Sequence, residues 1–146
     1  MGNKINLALI GAGHWGKNLA RVFHELGILK TICDSSEEVL LNNAAKYPEI
    51  TTTPSFSEVL ASPEINAIAI AAPAEQHYSM AKKALLADKH IFVEKPLAMT
   101  AQEGEELVQL AEQQGKTLFV GHILQYHSAV QTIKNMLQEG ELGKLQ

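Results

Sequence analysis

Apolar residues fall in short blocks of strand length at Ile5–Ile10, Leu29–Cys33, Ala67–Ala71, Ile91–Val93 and Thr117–Val120, with a weaker block near Ile50–Thr53. Several are apolar at every position, as a strand covered on both faces must be. Between the blocks the spacing turns helical, most clearly over Glu75–Ala87 and over Ala101–Gln114, where Leu107, Leu110 and Ala111 recur at helical intervals. Thr100 and Glu103 stand at the capping-box separation ahead of the second of these. A further helix over Ala129–Glu139 has Gly140 as its stop. Strands alternating with helices predict right-handed crossovers and a doubly wound parallel α/β sheet of about six strands with helices on both faces.

The chain has 146 residues, 46% of them hydrophobic, enough for one domain with a substantial core. There is no internal repeat, low-complexity stretch or Pro/Gly/Ser-rich linker, so residues 1–146 read as a single unit. Twelve basic residues against sixteen acidic ones give a formal charge of −4, and no Lys/Arg run marks a nucleic-acid footprint. The only cysteine, Cys33, cannot form an intramolecular disulfide, which fits a reducing compartment. The opening MGNKINLALIGAG has no cleavage site and too short an apolar run to span a bilayer, and Asn6 stands where a myristoylation signal needs Ser or Thr. The expectation is a soluble, cytoplasmic protein with no membrane partner.

Ile5–Ile10 runs directly into Gly11–Ala12–Gly13–His14–Trp15–Gly16, and helical spacing resumes at Asn18, Leu19, Val22 and Phe23. A GxGxxG string carries weight only in this context, between a strand and a helix and with an acid ending the next strand, here Asp34. Gly11 would permit the tight turn, Gly13 would leave room for a pyrophosphate, and Gly16 would let helix and strand pack closely, with N–H groups at the helix start bonding the phosphates. Asp34 would accept hydrogen bonds from both ribose hydroxyls of an adenosine and repel a 2′-phosphate. Ser35–Ser36–Glu37–Glu38 offers no Arg or Lys to neutralise that phosphate, so the expected cofactor is NAD rather than NADP. Within the turn, Trp15 reads as a packing residue over the backbone and His14 as solvent-facing, neither of them catalytic.

The GAGHWG turn, the strand ending in Asp34, AIAAPAEQHYSMAKKAL and HIFVEKPLA occur in that order across essentially the whole chain. Together they resemble the N-terminal domain of the glucose-fructose oxidoreductase, inositol dehydrogenase and rhizopine-catabolism (Gfo/Idh/MocA) family. The resemblance implies a Rossmann domain that binds NAD or NADP and moves hydride to or from a sugar, cyclitol or related alcohol. It implies that the segment Ala72–Pro73–Ala74–Glu75–Gln76–His77 passes close to the cofactor, Ala72 and Pro73 touching it, largely through backbone contacts. It also implies that Lys95 reaches the reacting oxygen as the catalytic residue, that Glu94 lies on the nicotinamide side, and that Pro96 holds the turn. The chemistry suits those roles, because hydride loss from a carbinol carbon leaves oxygen bearing negative charge that an ammonium stabilises. His77 reads equally as a site residue or as a first-turn residue bonded to nearby backbone, and stays outside the catalytic set. A trans Lys95–Pro96 bond is expected, since only about one in twenty X–Pro bonds is cis.

After the last strand the chain departs from the family pattern. Gln125 stands where many members have Arg, and Ser128 where many have Pro; Gln125 can hydrogen-bond but carries no charge. The GHI start at Gly121–His122–Ile123 resembles the branch acting on nucleotide-linked sugar acids such as UDP-N-acetylglucosaminuronate. His122, His127, His77 and His90 lack ligand-type spacing, and no metal is expected. Family enzymes continue for roughly another domain's length, so residues 128–146 are expected to lead toward a C-terminal substrate domain that lies outside this sequence. The sugar-like substrate would then require that second half. The alternative is a stand-alone, non-catalytic NAD-binding module or partner subunit. Apolar faces that the second domain covers would, if left open, favour a homo-oligomer.

Overall fold

The computed structural model describes residues 4–143. Six strands, β1 (Leu7–Ile10), β2 (Leu29–Cys33), β3 (Thr51–Thr53), β4 (Ala67–Ile70), β5 (His90–Val93) and β6 (Leu118–Val120), form one sheet in the order β3-β2-β1-β4-β5-β6. All neighbouring pairs are parallel. The helices are α1 (Gly16–Glu25), α2 (Glu37–Lys46), α3 (Phe56–Ala61), α4 (Ala74–Leu86), α5 (Ala101–Gln114) and α6 (Ser128–Gln138), with a 3₁₀ turn at Ile123–Tyr126. This is the doubly wound Rossmann architecture that the alternating pattern predicts. Strand order reverses between β1 and β4, and open α/β sheets form their crevice outside the carboxyl ends at such a point.

The two-residue period of the strands divides the core. Leu7, Leu9 and Ala69 face one side with Ala20, Leu29 and Ile32. Ala8, Ile10, Ile68, Ile70 and Val93 face the other with Leu85 and Leu107 from α4 and α5. Leu9, Ile32, Ile68, Ile70, Leu85 and Leu107 are all less than 2% exposed. Burying each such side chain is worth about 1.5–3 kcal/mol, more than the ~1 kcal/mol of a helix cap, so the core fixes the sheet and the caps trim the helix ends.

Local signals hold well at α5, whose bounds match the expectation and whose Thr100–Glu103 capping box is formed in both directions. The expected strand start at Ile5 fails because Ile5 is 49% exposed, and β1 begins at Leu7. The expected trans Lys95–Pro96 bond is cis. At the far end, α6 buries none of its residues, and Val130 and Ile133 lie exposed on it.

Candidate functional site

Between β1 and α1 the three glycines have different reasons to be glycine. Gly11 has φ +84°, and a Cβ there would lie 2.8 Å from the Ala71 carbonyl. At Gly16 a Cβ would lie 1.9 Å from Gly11 O, so the turn itself, more than helix–strand packing, excludes a side chain. Gly13 has no protein atom within 4 Å of a Cβ position and lines an open cleft. The chain's own packing accounts for the first two, and the third leaves the cleft floor bare.

Asp34 ties this turn to the next one. Its Oδ2 accepts the Ala12 N–H at 2.8 Å and its Oδ1 accepts the Ser36 N–H at 2.9 Å. The N–H groups of Gly13, His14 and Trp15 have no acceptor among the described residues. α1 carries no side-chain cap, and neither does α4, whereas α2, α3 and α5 are capped by Ser36, Ser55 and Thr100. Both uncapped helices start at the cleft, where bare N–H groups and the positive end of the helix suit an anion, although the capped α3 also begins there, at Phe56.

That cleft has a volume of about 580 Å³ and is lined by Gly11, Gly13, His14 and Trp15 of the turn, by Cys33, Asp34 and Ser35 after β2, and by Ala71, Ala72 and Pro73 after β4. Pro54, Phe56, Gln76 and Met80 complete it. A second cleft of about 270 Å³ shares Trp15, Ala71 and Ala72 with it and adds Ala74, His77, Glu94, Lys95 and Ile123. A third, bounded by Lys95, Gly121, His122, Ile123, Leu124 and Gln125, continues past Lys95. The shared walls make one groove along the carboxyl edge of the sheet, and it brings together Gly11, Gly13, His14, Trp15, Asp34, Ala72, Pro73, Glu94 and Lys95 of the residues singled out from the sequence, while Ala12 and Gly16 are buried within the turn and line none of the clefts. His14 is solvent-exposed as expected, and Trp15 is 42% exposed and lines both of the first two clefts.

At the β5 end of the groove, Glu94 is 7% exposed and its Oε1 is buried with no hydrogen-bond partner among the described residues. A Cβ on Gly121 would lie 3.0 Å from that oxygen, so the absence of a side chain there lets the β6 loop cover the carboxylate. Lys95 is exposed. His77 is 2% exposed, with Nδ1 2.6 Å from the Pro96 carbonyl oxygen and Nε2 2.8 Å from that of Ala72. Burial, and then the nearby Asp34 and Glu58 carboxylates, push the Cys33 thiol up to about 11, so it is not a nucleophile at neutral pH. Among the described residues no group of three His, Cys, Asp or Glu side chains is arranged around a metal position, and no helix is long and apolar enough to cross a membrane.

Pro54, Phe56, Met80 and Ile123 were not anticipated as groove residues. Pro54 and Phe56 follow the carboxyl end of β3, so the rule that pointed to Asp34 and Ala72 could have found them; Met80 faces the cleft only through the orientation of α4.

Comparison with known proteins fits this arrangement. The Gfo/Idh/MocA family model, described as an oxidoreductase family with an NAD-binding Rossmann fold, matches residues 5–122. The uncharacterized oxidoreductase YdgJ of Escherichia coli is 33% identical over 99% of the chain and 42% of its own length. Among solved structures, biliverdin reductase from Synechocystis in complex with biliverdin and NADP+ superposes with a TM-score of 0.85 at 30% identity, over 93% of this chain and 43% of that one. The WlbA dehydrogenase from Bordetella pertussis, in complex with NADH and UDP-GlcNAcA, superposes with a TM-score of 0.87 at 27% identity, over 97% of this chain and 42% of that one. The chain thus spans about 42% of the length of the curated relative YdgJ.

Proposed function

We propose the following reading for this chain, which belongs to the Gfo/Idh/MocA oxidoreductase family and carries its NAD-binding Rossmann fold: it is the dinucleotide-binding part of an NAD-dependent dehydrogenase acting on a secondary alcohol of a sugar, cyclitol or nucleotide-sugar. The observation that carries the dinucleotide assignment is Gly13, whose missing side chain answers to no protein neighbour and opens the cleft floor. The free N–H groups of Gly13, His14 and Trp15 suit a pyrophosphate beside it.

NAD, when bound, supplies the site of hydride transfer. The chain's own part is to bind and to polarise. Each Asp34 oxygen already takes one N–H, and a carboxylate oxygen has a further lone pair for a ribose hydroxyl. A 2′-phosphate would meet that carboxylate, with Glu37 and Glu38 following and no cation in Ser35–Glu38, which favours NAD over NADP. Lys95, exposed in the groove beside Glu94, would stabilise the developing charge on a substrate oxygen. Substrate recognition would be completed by polypeptide corresponding to the rest of the relatives' length. The likeness to WlbA supports a nucleotide-linked sugar acid as one substrate class.

The test is a titration of the chain with NADH followed by nicotinamide fluorescence, with NADPH alongside. Saturable binding with NADH the tighter ligand is expected. No binding at millimolar cofactor would overturn the assignment.

A further inference from the structure

We propose that His77 is a positioning residue, a clamp that holds the loop after β4 and the loop after β5 at a fixed separation; its consequence for cofactor affinity rests on the dinucleotide reading above. Sequence places residues 72 and 96 in separate loops, and the fold brings both against one buried imidazole in the first turn of α4. Nδ1 meets the carbonyl oxygen of Pro96 and Nε2 that of Ala72, at 2.6 and 2.8 Å. Backbone carbonyls only accept, so each contact calls for an N–H from the ring. A neutral imidazole supplies one N–H and bonds one loop, and a doubly protonated imidazole supplies both and bonds the two loops to each other. Past the strand-end bond from the Glu94 N–H to Ile70 O, the imidazole is the group that lies at hydrogen-bond distance from both loops among the described residues.

The position matters because of what the loops carry. Ala72 lines both clefts, and Pro96 directly follows Glu94 and Lys95. A clamp between the two carbonyls therefore sets the width of the groove where the bare glycine turn gives way to the charged pair. His77 itself is 2% exposed, with both nitrogens engaged by backbone, which makes it a residue that acts through its neighbours.

The experiment compares the wild-type chain with His77→Phe, which keeps a ring and removes both donors, and His77→Gln, which restores a donor. Amide hydrogen exchange is followed without cofactor, and NADH affinity is measured by fluorescence. In His77→Phe, exchange at Ala71 and Glu94, whose N–H groups bond Ile10 O and Ile70 O at the roots of the two loops, should accelerate by about two- to tenfold, while β1 and β2 keep their protection. NADH affinity should fall by a similar factor, and His77→Gln should recover part of both losses. Unchanged protection in both loops, or acceleration spread evenly over the sheet, would overturn the clamp. If the Phe variant does not fold, His77→Gln decides alone: reduced protection in at least one loop supports the clamp, and full wild-type protection in both removes it. A wild-type chain that binds no NADH while its loops loosen in His77→Phe would remove the dinucleotide reading and leave the clamp standing. Wild-type binding with unaltered loops in the variant would do the reverse.

Discussion

At the glycine-turn end of the groove the Asp34 carboxylate takes N–H groups from Ala12 and Ser36, whereas at the β5 end Glu94 Oε1 is buried without a partner and Lys95 stands exposed. The first end is organised by the chain's own hydrogen bonds before any ligand arrives, which lowers the ordering cost of binding. The second end presents charge: an unpaired buried carboxylate oxygen is costly, and such atoms call for an explanation. The difference is the one the proposed function calls for, with one end to bind a cofactor and the other to offer charged groups toward a substrate.

The largest expected effects set the glycines against each other. Gly16→Ala places a methyl 1.9 Å from Gly11 O and should cost about 3 kcal/mol of stability, at the upper end of overpacking penalties. A urea unfolding curve reads it directly. Gly13→Ala should leave that curve within about 0.5 kcal/mol yet weaken NADH binding by about tenfold or more, a loss of roughly 1.4 kcal/mol. If Gly13→Ala binds NADH like the wild type, the turn is only a turn.

Asp34 comes next, because it serves both the fold and the proposed site. Asp34→Ala removes the acceptor for Ala12 and Ser36 as well as the ribose contacts. NADH affinity should fall by roughly tenfold to a hundredfold, as hydrogen bonds to a charged group are worth about 1.5–3 kcal/mol, with NADPH losing less. A preserved preference for NADH would detach Asp34 from cofactor choice. At the other end, Lys95→Ala should change neither stability, beyond about 0.5 kcal/mol, nor NADH affinity, beyond about twofold. Turnover in a full-length relative-like enzyme should drop on the order of a hundredfold or more. A large loss of NADH affinity in Lys95→Ala would erase the contrast between the two ends.

How much of this was legible in the sequence follows the same contrast. Asp34, the glycines and the Glu94–Lys95 pair could be placed because each is tied to a strand's carboxyl end, and strand blocks are local signals. The second role of Asp34, holding the turn through Ala12, was not legible, since it depends on how two separate loops meet 22 residues apart. His77 was undecided for the same reason: its backbone partners lie 5 and 19 residues away, and only the packing of α4 against β5 puts Pro96 within reach. The expected start of β1 at Ile5 failed because apolar character does not reveal exposure at a sheet's end.

The smallest expected effect lies on the surface that joins α4 to α5, behind the loops His77 clamps. Glu106 accepts hydrogen bonds from Lys82 and Tyr78, and these, Lys82 first, hold its carboxyl below the ordinary value of 4.5. The Lys82 ammonium is held above its ordinary 10.5, by Glu106 first and then Tyr78. A depressed acid lends stability above its unfolded value and loses it as pH falls through its folded one. A raised base lends stability below its unfolded value and loses it as pH rises through its folded one. The pair therefore contributes between pH 4.5 and 10.5 and fades outside that window. Both partners are solvent-exposed, so Glu106→Gln should lower the urea midpoint only slightly near pH 7, and less in high salt. The difference from wild type should shrink as pH drops below 4.5, and an equal difference at pH 3 and pH 7 would rule the ion pair out as its cause. Protection of the loops around Ala72 and Pro96 should be unchanged in Glu106→Gln, because a screened surface pair does not set their separation; loosening there would transfer the clamp's role from His77 to the helix surface.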